Sequence, residues 1–97
     1  MVTYVSLIKF TEQGMKQIKD SPKRLEAFGK AAKAAGVKLT SAHYTLGEYD
    51  LVLVTEAPDE EALLKVLLAQ LSHGNVKSTT MRAFSPAQMK ELVKEPA

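Results

Sequence analysis

Side chains that could meet around a ligand, or move a proton, gather in "HYTLGEYD": His43, Thr45, Tyr49 and Asp50, with Arg82 further along the chain. An imidazole whose tautomer is fixed by a carboxylate can act as a general base. His43 oriented by Asp50 would therefore be able to take a proton from an acidic carbon, the step a cofactor-free oxygenase or isomerase requires. Arg82 offers a guanidinium for an anionic group. Each residue also has a purely structural use. Asp50 beside a turn can accept hydrogen bonds from free backbone amides, and a single histidine on a strand is usually a structural residue. Tyr49 can pack its ring and leave its hydroxyl in water. Arg82 can serve as an edge-strand charge that discourages aggregation, and His73, beside Gly74, suits a helix C-terminus.

The elements that must position these groups follow from the spacing. "VTYVSLIKF" (Val2 to Phe10), "VKLTSAHYTL" (Val37 to Leu46), "YDLVLVTE" (Tyr49 to Glu56) and "NVKSTTMRAF" (Asn75 to Phe84) are rich in β-branched and aromatic residues and predict strands. Thr11 is placed to cap a short helical turn. Ser21 and Pro22 open a longer helix whose inner face is Leu25, Phe28 and Ala32 and whose stop is Gly36. After Pro58, the acids Asp59, Glu60 and Glu61 suit the positive end of a helix closing at Gly74. Its apolar stripe of Leu63, Val66, Leu67 and Leu71, with Gln70, is widened by Leu64 and Leu68, so this helix is expected to be well buried. Ser85 and Gln88 have capping-box spacing for a terminal helix.

A two-residue turn at Gly47-Glu48 would pair Leu46 with Tyr49 and Thr45 with Asp50, and set His43 opposite Val52. Tyr44, Leu46, Tyr49, Leu51 and Leu53 would then share one face, and Ser41, His43, Thr45, Asp50, Val52 and Val54 the other. His43, Thr45 and Asp50 would form a polar cluster at the edge of an apolar pocket near the hairpin.

The element string βαββαβ plus an extra helix predicts an α+β, ferredoxin-like domain spanning residues 1–97. Its four-stranded antiparallel sheet should have the order 4-1-3-2 with both main helices on one face. The third strand breaks the alternation of a half-exposed strand, because Leu51 and Leu53 point one way and Val52 and Val54 the other. The first strand likewise sets Val5 and Leu7 opposite Tyr4, Ile8 and Phe10. Both faces call for cover, and a second copy packing sheet to sheet is the simplest source, with an interface of about 1,600 Å². The alternative is that the terminal helix folds over the second face.

Composition narrows the function. With 97 residues, 45% hydrophobic and 25% charged, the chain has ordinary globular composition. A net charge of +2 with scattered basic residues gives no nucleic-acid footprint, and the sheet lacks the aromatic signature of RNA-binding domains. There is no cysteine, so disulfides, thiolate metal sites and cysteine nucleophiles are excluded. No apolar run reaches the length of a membrane span, and "MVTYVSLIKF" does not read as a signal peptide, so a cytoplasmic setting is expected. No metal-ligand spacing and no glycine-rich phosphate loop appears, and no cofactor is expected. Haem ligation through His43 alone ranks below the other readings.

"KDSPKRLEAFGKAAKAAGVKL", "YTLGEYDLVLVTEAPD" and "GNVKSTTMRAF" resemble the GYD domain family, whose Gly-x-Tyr-Asp motif matches Gly47, Tyr49 and Asp50 here. The resemblance implies a ferredoxin-like domain of the dimeric α/β-barrel group, most of whose members have no established activity. The segment from Gly47 to Thr80 also resembles the amino-acid-sensing domain of feast-or-famine regulators, without their helix-turn-helix. Residues and resemblance together predict a homodimeric small-molecule-binding or regulatory module. Its ligand would be a small apolar or acidic metabolite held by His43, Thr45, Tyr49, Asp50 and Arg82, and the alternative is the His43/Asp50 enzyme.

Overall fold

The computed structural model describes residues 1–94. Strand β1 (Val2–Phe10) leads through α1 (Glu12–Lys16) and a 3-10 turn (Ile18–Asp20) into α2 (Ser21–Ala34). Strands β2 (Lys38–Tyr44) and β3 (Leu51–Ala57) follow, then α3 (Glu60–Leu71), β4 (Val76–Ala83) and α4 (Pro86–Leu92). The sheet order is β2-β3-β1-β4 with every neighbouring pair antiparallel, which is the expected order read from the opposite edge.

Local chemistry sets most of the boundaries. The Thr11 side chain accepts the Gly14 N–H at 3.1 Å, and Asp59 accepts the Ala62 N–H at 2.8 Å, so α1 and α3 start on side-chain caps. Ser85 and Gln88 form both bonds of a capping box. Ser21 departs from expectation. The N-cap position of α2 belongs to Asp20, which makes no side-chain cap, while the buried Ser21 Oγ is hydrogen-bonded to Tyr44 Oη at 2.8 Å. A buried hydroxyl with a partner across the helix–sheet gap is satisfied there and has no need of the helix end.

One face of the sheet carries the core. Tyr4 and Ile8 of β1 and Leu51, Leu53 and Ala57 of β3 are buried against Phe28 and Ala32 of α2 and Leu63, Val66 and Leu67 of α3. Both main helices thus lie on one face. The expectation of a well-buried α3 is corrected in part, since Leu64 is 51% and Leu68 56% exposed. A helix lying on one sheet buries a stripe roughly 100° wide, and these two leucines fall outside it.

Tyr4 Oη is buried and, among the described residues, meets no partner at hydrogen-bond geometry. Burial raises its pKa above the ordinary 10.0, and the nearby Glu60 carboxylate raises it further. The folded protein therefore keeps a proton that the unfolded chain begins to release near pH 10, so stability falls as the pH rises from there towards the folded value. Tyr4→Phe removes an unsatisfied hydroxyl and is expected to leave stability unchanged or raise it slightly. It should also remove this residue's share of the alkaline loss. Urea midpoints at pH 8 and pH 10.5 check both effects.

Among the described residues no layer lies over the other sheet face. Val5, Leu7, Val52 and Val54 are half-buried by their neighbours in the sheet, with Met81 beside Val5. Helix α4 does not cover them: it buries none of its residues. The thinnest dimension of the molecule is 18 Å, room for one sheet and one helix layer but not a third, since layers stack about 10 Å apart.

Candidate functional site

The register between β2 and β3 sets His43 opposite Val52 and Ser41 opposite Val54, as the hairpin spacing predicts, with an irregularity between Leu39 and Ser41. The turn itself is wider than expected. Strand β2 ends at Tyr44 and β3 begins at Leu51. Thr45 N–H donates to Asp50 O at 2.9 Å and Thr45 Oγ1 to Tyr49 O at 2.6 Å, closing the loop one step below the expected Leu46–Tyr49 pair. Leu46 is fully exposed. Gly47 has φ +112°, a conformation that a side chain would strain.

Asp50 explains the wide turn, because it turns away from β2 towards β1. Its N–H donates to Ile8 O at 2.8 Å, and its Oδ2 accepts the Phe10 N–H at 2.9 Å. The β1–β3 ladder runs out at Ile8 opposite Leu51, so the amide of Phe10 needs an acceptor that is not a strand carbonyl. The carboxylate supplies it with a charge-assisted bond. Asp50→Ala is expected to cost about 1.5–3 kcal/mol, and Asp50→Asn, which keeps an acceptor oxygen, about half as much. Urea denaturation measures both, and an Asp50→Ala protein as stable as the parent would contradict this role.

The remaining candidate residues are dispersed. His43 is exposed, and among the described residues no hydrogen bond or ion pair joins it to Asp50. Thr45 and Asp50 meet through the Thr45 N–H and Asp50 O, and otherwise spend their polar atoms on the loop and on β1 rather than on His43. Lys9 Nζ lies 6.0 Å from the Tyr49 ring centre. Arg82 pairs with Tyr4, four residues along β1 from Ile8 and so about 13 Å from the hairpin end. Its guanidinium stacks on the Phe84 ring at 4.2 Å and donates to Ala83 O.

At the hairpin end of the sheet, between the sheet and both main helices, lies an apolar crevice of about 40 Å³. Ile8, Phe28, Leu51 and Leu67 are among its walls, and Arg24 and Gln70 bring polar groups to it. Arg24 is held in place by Nη1 donating to Gln17 O at 2.9 Å and Nη2 to Gly14 O at 3.4 Å. Ser21 and Ser78 also line it, their hydroxyls bonded to Tyr44 Oη and Thr80 Oγ1 at 2.8 Å each, and its lining residues include no histidine or carboxylate that could act as a base. The sequence reading did not single out Arg24. The signal for it was its position four residues before Phe28 on the inner face of α2, matched by Gln70 at the end of the inner stripe of α3. Among the described residues no cluster of histidines and carboxylates is placed to hold a metal ion, and no helix is long and apolar enough to cross a membrane.

Sheet order, antiparallel pairing and one-sided helices define a ferredoxin-like α+β domain. A feast-or-famine regulatory protein from M. tuberculosis, solved with L-methionine, shares this fold with a TM-score of 0.66 and 20% identity over 88% of this chain and 51% of its own. The TTHA0845 protein of Thermus thermophilus aligns with a TM-score of 0.56 and 26% identity, over 88% of this chain and 95% of that one. The GYD domain family model matches residues 4–93, and the chain belongs to that family. A relative from Thermus thermophilus, 30% identical over 92% of this chain and 95% of its own length, is named a glutamine synthetase and cystathionine beta-lyase binding protein.

Proposed function

We propose that this protein is a homodimeric binding module that pairs through its open sheet face and holds a small ligand in the crevice at the hairpin end of each subunit. The observation that carries the reading is the contrast between the two sites. The crevice has mainly apolar walls with Ser21, Arg24, Gln70 and Ser78 as its polar groups and no histidine or carboxylate, while His43, the one strand histidine, stands unpaired with Asp50 on the open face. The favoured ligand is a compact molecule whose short aliphatic end enters the crevice while its acidic group stays at the mouth, where Arg24 has donors to spare beyond the two carbonyls it already serves. Thr45, Tyr49 and Asp50 shape the mouth by fixing the hairpin, and His43 joins the subunit contact beside Val52. Arg82, at the far end of β4, would serve a separate anion contact. The oxygenase or isomerase alternative loses its oriented base.

The test is a titration of the uniformly 15N-labelled protein with short branched-chain carboxylates and amino acids. Saturable shifts are expected in the amides around Leu51, Leu67 and Arg24, and are expected to vanish in Leu67→Phe, which fills the crevice. Shifts confined to His43 and Arg82 would overturn the crevice assignment.

A second reading is favoured by the relative's name: the module docks on enzymes of amino-acid metabolism. Its test is sedimentation of the protein mixed with purified glutamine synthetase, where co-migration supports it and independent migration opposes it.

A further inference from the structure

We propose that α4 is an exchanged arm, whose Met89, Leu92 and Val93 face docks on the second copy of this chain that covers the open sheet face. The proposal rests on the dimer reading above and adds a second contact to it.

Three observations carry it. First, α4 is well formed and yet unsupported. Its start is fixed by the full Ser85–Gln88 capping box, but Met89 is 50%, Leu92 62% and Val93 69% exposed, on one side at spacings of three and four residues. Helices shorter than about 12 residues are marginal in water without tertiary packing, so seven residues with an apolar stripe need a surface to lie on.

Second, the subunit's own surface does not provide one. The molecule measures 55 × 31 × 18 Å, and its radius of gyration of 14.9 Å exceeds the roughly 12.5 Å of a compact chain this long. The thickness is that of two layers, so α4 forms no third layer over the open face, and none of its residues is buried.

Third, the sheet face alone is small. Four strands spaced about 4.8 Å apart, paired over about seven residues at about 3.3 Å each, give a flat footprint of roughly 440 Å². A stable interface takes about 800 Å² of accessible surface from each partner, and side-chain relief makes accessible surface larger than flat footprint, so the shortfall is smaller than the difference of the two figures. The missing area adjoins the open face in the chain: Met81 lies beside Val5 on that face, Ala83 follows on the same side, and exposed Phe84 leads directly into α4. A copy that covers Met81 is thereby brought next to the arm. By the two-fold symmetry of such a pair the contact occurs twice.

The experiment is sedimentation equilibrium of the full chain carrying Leu92→Asp and Val93→Asp together, alongside the unmodified chain and Val54→Asp, which disables the sheet face. The arm variant is expected to weaken the dimer at least tenfold while leaving the circular dichroism and melting of dilute, monomeric protein unchanged, because α4 buries nothing in its own subunit. An arm variant with unaltered dimer affinity overturns the proposal, and if Val54→Asp still dissociates, the dimer reading survives alone. Loss of stability in the dilute monomer also overturns it, by showing that α4 packs on its own chain. An intact dimer that has lost co-sedimentation with purified glutamine synthetase overturns it in favour of a different protein on the arm. An unmodified chain that is monomeric overturns both readings.

Discussion

Val54→Asp should turn the protein into a folded monomer. Val54 sits on the open face between Val5 and Ser41, half-buried by neighbouring strands alone. In a single subunit an aspartate there reaches water, and the cost is bounded by strand propensity at about 1 kcal/mol. In a face-to-face dimer the same carboxylate is buried without a partner, and the symmetry places two of them in the interface. At about 2 kcal/mol or more each, the dissociation constant should rise by about a thousandfold. Val54→Thr, nearly the same shape, should weaken the dimer far less. Equilibrium sedimentation with far-ultraviolet circular dichroism separates dissociation from unfolding, and a Val54→Asp dimer of unchanged affinity would show that subunits meet elsewhere or not at all.

Gly14→Ala should destabilise the fold by about 3 kcal/mol or more, although alanine is the better helix former by about 1 kcal/mol. A Cβ at Gly14 would lie 2.0 Å from Asn75 O and 2.9 Å from its carbonyl carbon, both backbone atoms. Neither side can retreat cheaply. Asn75 O accepts the Thr11 N–H at 3.0 Å, Thr11 Oγ1 donates to Gly74 O at 2.6 Å, and Gln13 Nε2 donates to His73 O at 3.0 Å and Asn75 Oδ1 at 2.9 Å. This staple ties the start of α1 to the loop before β4, and Arg24 is anchored on the Gly14 carbonyl, so the crevice depends on it. Gly29 supplies the control. Its added Cβ would meet only Leu39 Cδ2 at 3.7 Å, so Gly29→Ala should stabilise α2 by about 0.5–1 kcal/mol. Melting temperatures of the two variants should move in opposite directions.

The order of elements, the caps at Thr11 and Ser85, and the placement of His43 opposite Val52 were legible because each depends on residues within a few positions of one another. What failed to read was long-range. Asp50 is tied to Phe10, forty positions away, and nothing in the hairpin's own sequence announces an orphan amide on another strand. Ser21 fits an N-cap by type, but its partner is Tyr44, brought close only by packing. The stripe of α3 looked broad because Leu64 and Leu68 extend it, and apolarity alone does not tell a core contact from an exposed one. Gly14 is a poor helix former by type, yet its lack of a side chain is what lets α1 lie against Asn75. Arg24 and Gln70 stand out only after the two helices are set side by side over the hairpin end.

The central claim is that the uncovered face formed by Val5, Leu7, Val52 and Val54 meets the same face of a second copy. Sedimentation equilibrium of the unmodified protein at about 10 µM tests it, since a contact of roughly −10 kcal/mol or better leaves nearly all chains paired there. The expected mass is twice the 10.6 kDa of one chain. A single folded species of 10.6 kDa at that concentration would contradict it.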